Sequence, residues 1–215
     1  DESLDLARAH PDKEVVFFGV GFETTIPSIA VSARTAAAEK LPNYSVLSAL
    51  WTIPPALRAI LESREIRLSG FLYPGHVSVI IGEEPYRFVA REFGYPGAIA
   101  GFEPADILLG VRSILRQIDA GKPDAANEYL RAVKPEGNTI ARKIMAETLE
   151  PANLTWRGLG RIPASGLKLR DGFADFDAAR RFGLSIDAAA DDRPGCRCGD
   201  VLRGVLSPSG CPLFA

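Results

Sequence analysis

The sequence lacks the residues that define several common classes of protein. It has only two histidines and three cysteines among 215 residues, and Cys196, Cys198 and Cys211 all lie beyond residue 195. A disulfide framework therefore cannot hold the body of the fold together. No apolar run approaches the ~20 residues that a membrane-spanning helix needs, so the composition argues against a membrane protein.

An excess of either charge is also missing. The formal net charge is −2, with 25 basic and 27 acidic residues, and the basic residues are dispersed. Nucleic acids and anionic membranes attract a concentrated basic patch, so neither is an expected partner. The opening residues "DESLDLARAH" are acidic and amphipathic, which is unlike a signal peptide. We therefore expect a globular, cytoplasmic protein.

What the sequence does contain is a regular alternation of buried strands and helices up to residue 121. Apolar runs such as "VVFFGV" and "YSVLSAL" alternate with helical stretches such as "TIPSIAVSARTAAAEK" and "EPADILLGVRSILRQI". Strands this continuously apolar are buried on both faces, and parallel strands need crossover helices. Residues 1–121 are thus predicted to form an α/β domain with a four-stranded parallel sheet and flanking helices, Rossmann-like or flavodoxin-like.

Two further regions follow this domain. Residues 122–185 predict a small α+β region, with two helices separated by the turn "KPEGN", then a β-hairpin and a short helix. Residues 186–215 combine a small-residue polar linker with the cysteine segment "CRCGDVLRGVLSPSGCPLF".

Polar side chains occupy the turns that follow three of the predicted strands. These turns are "GFETT" after the first strand, "PGHVS" after the third and "GFEP" after the fourth. In an open parallel sheet, ligands bind at the carboxyl ends of the strands. We therefore expect one crevice at this edge, lined by six side chains. They are Glu23, Thr24, Thr25, His76, Ser78 and Glu103.

Each of these side chains also has a simpler structural explanation. Thr24 or Thr25 can cap the following helix, and an acid such as Glu23 or Glu103 is favoured at a helix N-terminus without further function. His76 can be a structural histidine, although its position beside a glycine and near a hydroxyl favours function. No turn contains a phosphate-binding glycine motif, so nucleotide binding has no support.

The cysteine segment predicts a metal site rather than a disulfide. Cys196 and Cys198 form a C-x-C pair, and Cys211 is followed directly by proline. Clustered thiolates in a cytoplasmic chain are more often ligands of a metal or an iron–sulfur cluster, but three cysteines do not complete a four-thiolate site.

Several strings together resemble the HypD family, the iron–sulfur scaffold proteins of nickel–iron hydrogenase maturation. They are "FFGVGFETT", "PGHVSVIIG", "AGFEPADIL", "WRGLG" and "CGDVLRG" followed by "CPLF". The resemblance implies a scaffold rather than a turnover enzyme, on which the Fe(CN)2CO unit is assembled with a HypC-type chaperone. Cyanide would come from a HypE-type partner, and the finished iron unit would pass to the hydrogenase large subunit.

The resemblance also implies roles for individual residues, and the sequence departs from the family pattern in two ways. Cys198 and Cys211 match ligands of the family's 4Fe–4S cluster, whereas Cys196 lies outside the shared pattern. The polar turns would act around the iron rather than bind it directly. The family's Cys-Gly-Gly-His-Thr-His and Cys-Pro-x-Cys motifs and its last cysteines are not in this sequence. We therefore expect this chain to be a piece of a longer family protein.

Two other functions remain open from the sequence. The α/β domain could bind a small anion at the same edge, with the cysteines holding a structural zinc ion. Alternatively, the polar turns could simply dock a partner protein.

Overall fold

A computed structural model describes residues 1–63, 65–184 and 194–214. Within these residues the chain divides into two compact units, each built from separate segments. The first unit contains residues 1–53, 140–154 and 163–184. The second contains residues 54–63, 65–139, 155–162 and 194–214. Both units draw on residues before and after the boundary predicted at residue 121. Most of the predicted linker lies outside the described residues.

Helices and strands alternate through most of the described chain. The helices are α1 Glu2–Ala9, α2 Ile26–Glu39, α3 Ile53–Leu61, α4 Gly75–Ile81, α5 Arg87–Phe93, α6 Pro104–Ala120, α7 Thr139–Thr148, α8 Ala178–Arg181 and α9 Cys198–Leu202. The strands are β1 Val15–Gly21, β2 Tyr44–Trp51, β3 Phe71–Pro74, β4 Gly97–Ala100, β5 Ala125–Asn127, β6 Leu149–Trp156 and β7 Gly160–Leu169. Short 3-10 turns lie at Glu84–Tyr86, Asp171–Phe176 and Pro208–Gly210.

These strands form two sheets, which confirms the α/β class but not the single sheet that we predicted. One sheet has the order β1-β2-β7-β6, with β1 parallel to β2 and β7 antiparallel to β2. The other is parallel throughout and has the order β3-β4-β5. The first sheet continues from β2 to β7, which belongs to the predicted hairpin, rather than to β3. Leu50 pairs there with Leu167, and Trp51 with Gly166.

The core of the first unit forms where α2 packs on β1 and β2. One face of α2 presents Ala30, Ala33 and Ala36, all fully buried, and these small side chains allow the helix backbone to approach the sheet closely. Tyr44 and Val46 of β2 are fully buried against this face. Close packing of apolar side chains is the main stabilising contribution to such a layer.

The core of the second unit is centred on stacked aromatic rings. The rings of Tyr73 and Tyr86 lie 4.4 Å apart between centroids, and both residues are buried. At the edge of the parallel sheet where β4 and β5 begin, the Gln117 side chain accepts hydrogen bonds from the amides of Gly97 and Asp124. The same side chain donates to the Gly97 carbonyl. One amide group of α6 thus joins the beginnings of β4 and β5.

The region after residue 122 differs from the prediction in one element. The first of its two predicted helices is wrong, because Ala125–Asn127 forms β5 and pairs with β4. The second helix is present as α7, and the predicted hairpin corresponds to β6 and β7. The short helix is present as α8.

Asn43 should be a main polar contributor to the stability of the first unit. Its buried Nδ2 donates to the carbonyls of Ala7, His10 and Lys13 at 2.9, 3.0 and 2.9 Å, closing the end of α1. Asn43→Ala leaves these carbonyls without that donor, so we expect a loss of about 1–3 kcal/mol of unfolding free energy. Urea denaturation measures it.

A matched asparagine provides the control for this experiment. Asn153 is exposed and accepts one hydrogen bond, from the amide of Ala164. Asn153→Ala should therefore change the unfolding free energy by less than about 1 kcal/mol. Equal losses in the two variants would contradict the role given to Asn43.

Candidate functional site

The "GFETT" turn of the first unit uses its threonines to build the turn. The amide and the hydroxyl of Thr25 both donate to the Phe22 carbonyl, at 2.9 and 3.1 Å. Thr25 occupies the N-cap position of α2 without a side-chain capping bond. A Cβ at Gly21 would overlap the Thr25 hydroxyl, so the turn requires glycine at that position. The Thr24 and Thr25 residues are both exposed.

Glu23 lies beneath this turn rather than at its surface. Only 1% of the residue is exposed, and its Oε1 accepts a hydrogen bond of 2.8 Å from the amide of Ile53, where α3 begins. In the described part of the chain, Oε2 is buried and has no hydrogen-bond partner. Burial raises the pKa of this carboxyl group, opposed by hydrogen bonds from its own amide and that of Ile53. The "GFETT" turn of the first unit therefore lies over a buried acid.

In the second unit, the "PGHVS" turn exposes one of its two candidate side chains. His76 is exposed in the first turn of α4, and its ring lies 4.6 Å from that of Phe102. Ser78 is fully buried, and its hydroxyl donates to the carbonyl of Pro74 at 2.9 Å. The same hydroxyl lies 3.4 Å from that of Tyr86. Ser78 thus contacts the interior, and His76 faces solvent.

The "GFEP" turn is held by an ion pair that the sequence did not reveal. Nη1 and Nη2 of Arg131 donate hydrogen bonds of 2.5 Å to the two oxygens of the buried Asp106 carboxylate. Glu103 lies 3.6 Å from Arg131 and is exposed, and the guanidinium stacks 4.5 Å from the Tyr129 ring. Hydrogen bonds from Arg131 hold the pKa of Asp106 below its usual value. Aspartate in the first turn of a helix is so common that Asp106 gave no signal.

The six predicted side chains therefore fall into two groups rather than along one sheet. The turns bearing His76 and Glu103 follow neighbouring parallel strands, since Pro74 at the end of β3 pairs with Ala100 at the end of β4. This part of the shared edge is present, and Phe102 and Arg131 join it. Glu23, Thr24 and Thr25 belong to the other sheet. The prediction that all six lie at the edge of one sheet is wrong.

The cysteine segment brings two thiols and an arginine together. The pKa of Cys196 is lowered because the amide and the thiol of Cys198, and the side chain of Arg157, all donate hydrogen bonds to its sulfur. The pKa of Cys198 is raised, mainly because its thiol proton is held in that bond. A Cβ at Gly158, whose φ is +76°, would overlap the backbone of Gly199. The "WRGLG" turn therefore packs directly on the start of α9.

These thiols do not form a complete metal site by themselves. Among the described residues, no three His, Cys, Asp or Glu side chains form a group that could hold a metal ion. A 4Fe–4S cluster takes four cysteine thiolates, so the residues present do not fit that cofactor without further ligands. In the same residues, no helix has both the length and the hydropathy that crossing a bilayer requires.

The chain is therefore an α/β protein with polar turns at strand ends and a thiol-bearing segment. The sequence model designated HypD, described as the hydrogenase formation hypA family, matches residues 1–215. The chain belongs to this family. It is 44% identical to the hydrogenase maturation factor HypD of Rhodobacter capsulatus over 217 residues. It is 42% identical to that of Cupriavidus necator over 221 residues, and 40% identical to that of Escherichia coli K12 over 214.

These matches cover the chain and the relatives unequally. Each covers 99–100% of this chain but only 57–58% of the relative. The chain thus spans somewhat more than half the length of these relatives.

Glu23 should make the stability of the first unit depend on pH. Because its pKa is raised in the folded state, the unfolded chain releases this proton first, so the stabilising contribution is present at low pH. It is lost as the pH rises from the ordinary value of 4.5 through the raised value. Glu23→Gln keeps an acceptor for the Ile53 amide without the charge. We expect it to gain unfolding free energy relative to the native chain as the pH rises.

The measurement is chemical denaturation of the native chain, Glu23→Gln and Glu23→Ala between pH 4 and pH 8. Glu23→Ala should be destabilised at every pH, because it removes the acceptor at Ile53 and leaves a cavity. A constant difference between the native chain and Glu23→Gln would show that Glu23 has an ordinary pKa. Glu103→Gln is the control, since Glu103 is exposed.

Proposed function

We propose that this chain forms the part of a hydrogenase maturation scaffold on which the Fe(CN)2CO unit is assembled in the cytoplasm. A HypC-type chaperone would share the iron, and a HypE-type partner would supply cyanide. The finished unit would then pass to the hydrogenase large subunit. The observation that carries the proposal is the family match over all 215 residues, together with relatives of 40–44% identity named as maturation factors. The chain would thus act as an assembly scaffold rather than as a classical turnover enzyme.

The exposed side chains at the ends of β3 and β4 have suitable chemistry for this role. Imidazole is the side chain most often used for general acid–base catalysis, and the exposed ring of His76 lies 4.6 Å from that of Phe102. Arg131 is fixed by Asp106 yet remains 53% exposed, so its positive charge can attract an anionic ligand such as cyanide. The iron is the cargo of this site.

The buried acid and the cysteines would have supporting roles. Glu23 ties the "GFETT" turn to the beginning of α3 and so fixes the backbone amides there. Cys198 and Cys211 would act as cluster ligands only with thiolates that this chain does not supply. A bound cluster would provide electron transfer. In this chain, Cys198 and Arg157 both lower the pKa of Cys196, so the Cys196 thiol would lie beside one of these two cluster ligands.

Replacing His76 should impair maturation. We would insert residues 1–215 in place of the matching part of the Escherichia coli relative and test hydrogenase activity in cells without that relative. His76→Ala should lower activity at least about 100-fold if the imidazole transfers a proton. His10→Ala is the matched control, because His10 is the other histidine and is also exposed. Immunoblots would show that both chimeras accumulate.

Two outcomes would count against the proposal. A native chimera that accumulates but does not restore hydrogenase activity would overturn the assigned function. A His76→Ala chimera with full activity would leave the family function in place but remove His76 from the site. Infrared spectra of the purified chimera, which detect iron-bound cyanide and carbon monoxide, report iron assembly separately from later steps.

Metal analysis should separate the cluster from a zinc site. After anaerobic reconstitution with iron and sulfide, we expect this chain alone to bind far less than four irons per molecule, because it has only three cysteines. The chimera should bind a full cluster and lose it in Cys198→Ser and Cys211→Ser, while Cys196→Ser retains it. Full loading of the chain alone would refute the ligand count. Zinc in place of iron would favour the anion-binding alternative.

A further inference from the structure

The outer face of α6 carries a continuous apolar stripe that nothing in the described structure covers. Leu108, Val111, Leu115 and Ile118 are 69%, 39%, 59% and 48% exposed. Their spacing of three and four residues places them on one side of the helix, over a length of about 15 Å. Four neighbouring exposed apolar side chains on one helix indicate an interaction surface rather than ordinary scatter.

The opposite face of α6 already holds the helix on its own sheet. Asp106 and Gly110 are buried on that side, and Gln117 bonds the beginnings of β4 and β5. A Cβ at Gly110 would overlap the Leu72 side chain, which shows how closely the helix approaches β3. The stripe is therefore not needed to attach α6 to the second unit. It is left for another contact.

Two arginines define the charge beside the stripe. Arg112 and Arg116 are exposed, lie four residues apart and occupy the same flank. Among the described residues neither arginine forms an ion pair, although both line a small cavity of about 160 Å³ with Glu128, and Asp119 lies one turn beyond Arg116 on the same flank. A partner that covers the stripe would bring its own flank against these two positive charges. Acidic residues at that position would complement them.

We infer that the outer face of α6 docks one amphipathic helix of a separate partner protein, with an apolar face and an acidic flank. A helix that places apolar side chains every three or four residues fits a stripe of this spacing and length. The position favours a partner in assembly, because α6 begins directly after Phe102 and Glu103 at the candidate site. In assigning the partner this role, the inference rests on the proposed function.

A second copy of the chain fits this surface poorly. If two copies of α6 packed antiparallel about a two-fold axis, the flank bearing Arg112 and Arg116 would meet the same flank of the other copy. Four guanidinium groups would then be close together, with only the two Asp119 carboxylates on the same flank to offset them. Like charges across an interface oppose association.

A lipid surface fits poorly as well. Segments that bind anionic membranes usually present a cluster of about four to eight basic residues. The flank of α6 has two, and Asp119 lies at the end of the same helix.

The direct test uses two labelled helical peptides of about five turns with the same leucine stripe. One has glutamate along the flank and the other has lysine. Fluorescence anisotropy with the native chain should give at least about 10-fold tighter binding to the acidic peptide. Leu108→Gln combined with Leu115→Gln should weaken that binding at least about 30-fold, because two apolar contacts are lost.

Matched variants separate the surface from general stickiness and from misfolding. Leu130 is 78% exposed and lies outside the stripe, so Leu130→Gln should bind as the native chain does. Arg112→Glu combined with Arg116→Glu should reverse the preference and bind the lysine peptide more tightly. All of these positions are exposed, so circular dichroism should show unchanged folding.

Four results with the chain and its variants would overturn the inference, and a fifth would come from the chimera. They are equal binding of both peptides, native-like binding by the stripe variant, stripe-dependent binding to phosphatidylserine vesicles, and a dimer that dissociates when the stripe is changed. If the chimera no longer binds the acidic peptide, the additional family sequence covers the stripe, and a separate partner is ruled out. The peptide-binding measurement does not depend on whether the protein supports hydrogenase maturation. A chimera that fails to support hydrogenase activity would therefore overturn the function, whereas lost peptide preference in a working chimera overturns the surface.

Discussion

Parallel pairing of β3 with β4 is the constraint on which the second unit's candidate site depends. Because both strands run the same way, the turns that follow them must emerge on the same edge, and Pro74 lies beside Ala100. His76 and Phe102 come together as a consequence, although 26 positions separate them in sequence. The ion pair of the buried Asp106 with the exposed Arg131 then fixes the loop after β5 against the same edge. The site is thus assembled by topology first and by electrostatics second.

In the first unit, buried polar groups determine the structure of the turn that follows β1. A buried carboxyl group that lacks a second partner costs free energy, and burial of Glu23 is offset only partly by the Ile53 amide. The adjacent turn, by contrast, satisfies the Phe22 carbonyl twice through Thr25. A buried acid that is only partly satisfied departs from local consistency, and such departures are expected mainly at functional or strained sites. The same turn would be hard to justify by stability alone.

The sequence predicted the individual helices and strands better than it predicted which strands pair with one another. The order of strands and helices from residue 15 to residue 121 was correct except for α4, which was not among the four predicted helices, because apolar periodicity is a local property. The single sheet was wrong because the edge of β2 is taken by β7, more than 100 residues later, and no local pattern records such a choice. β5 was missed because the Ala, Glu, Leu and Arg residues of "AANEYLRAV" favour a helix, whereas the strand pairing of β5 comes from β4 and Gln117.

The same distinction explains which site residues the sequence revealed. Glycine-bounded turns identified His76 and Glu103, whereas Arg131 lies in a stretch that has no motif. Its role depends on Asp106, which is buried only because α6 packs on its sheet. The exposed stripe of α6 escaped notice for the opposite reason: apolar periodicity predicts a helix but does not say which apolar face the core will use. With Asp106 and Gly110 on the buried side, the more apolar face of α6 is the outer one. A helix that turns its leucines to solvent and an aspartate to the core is therefore best understood as serving two interfaces.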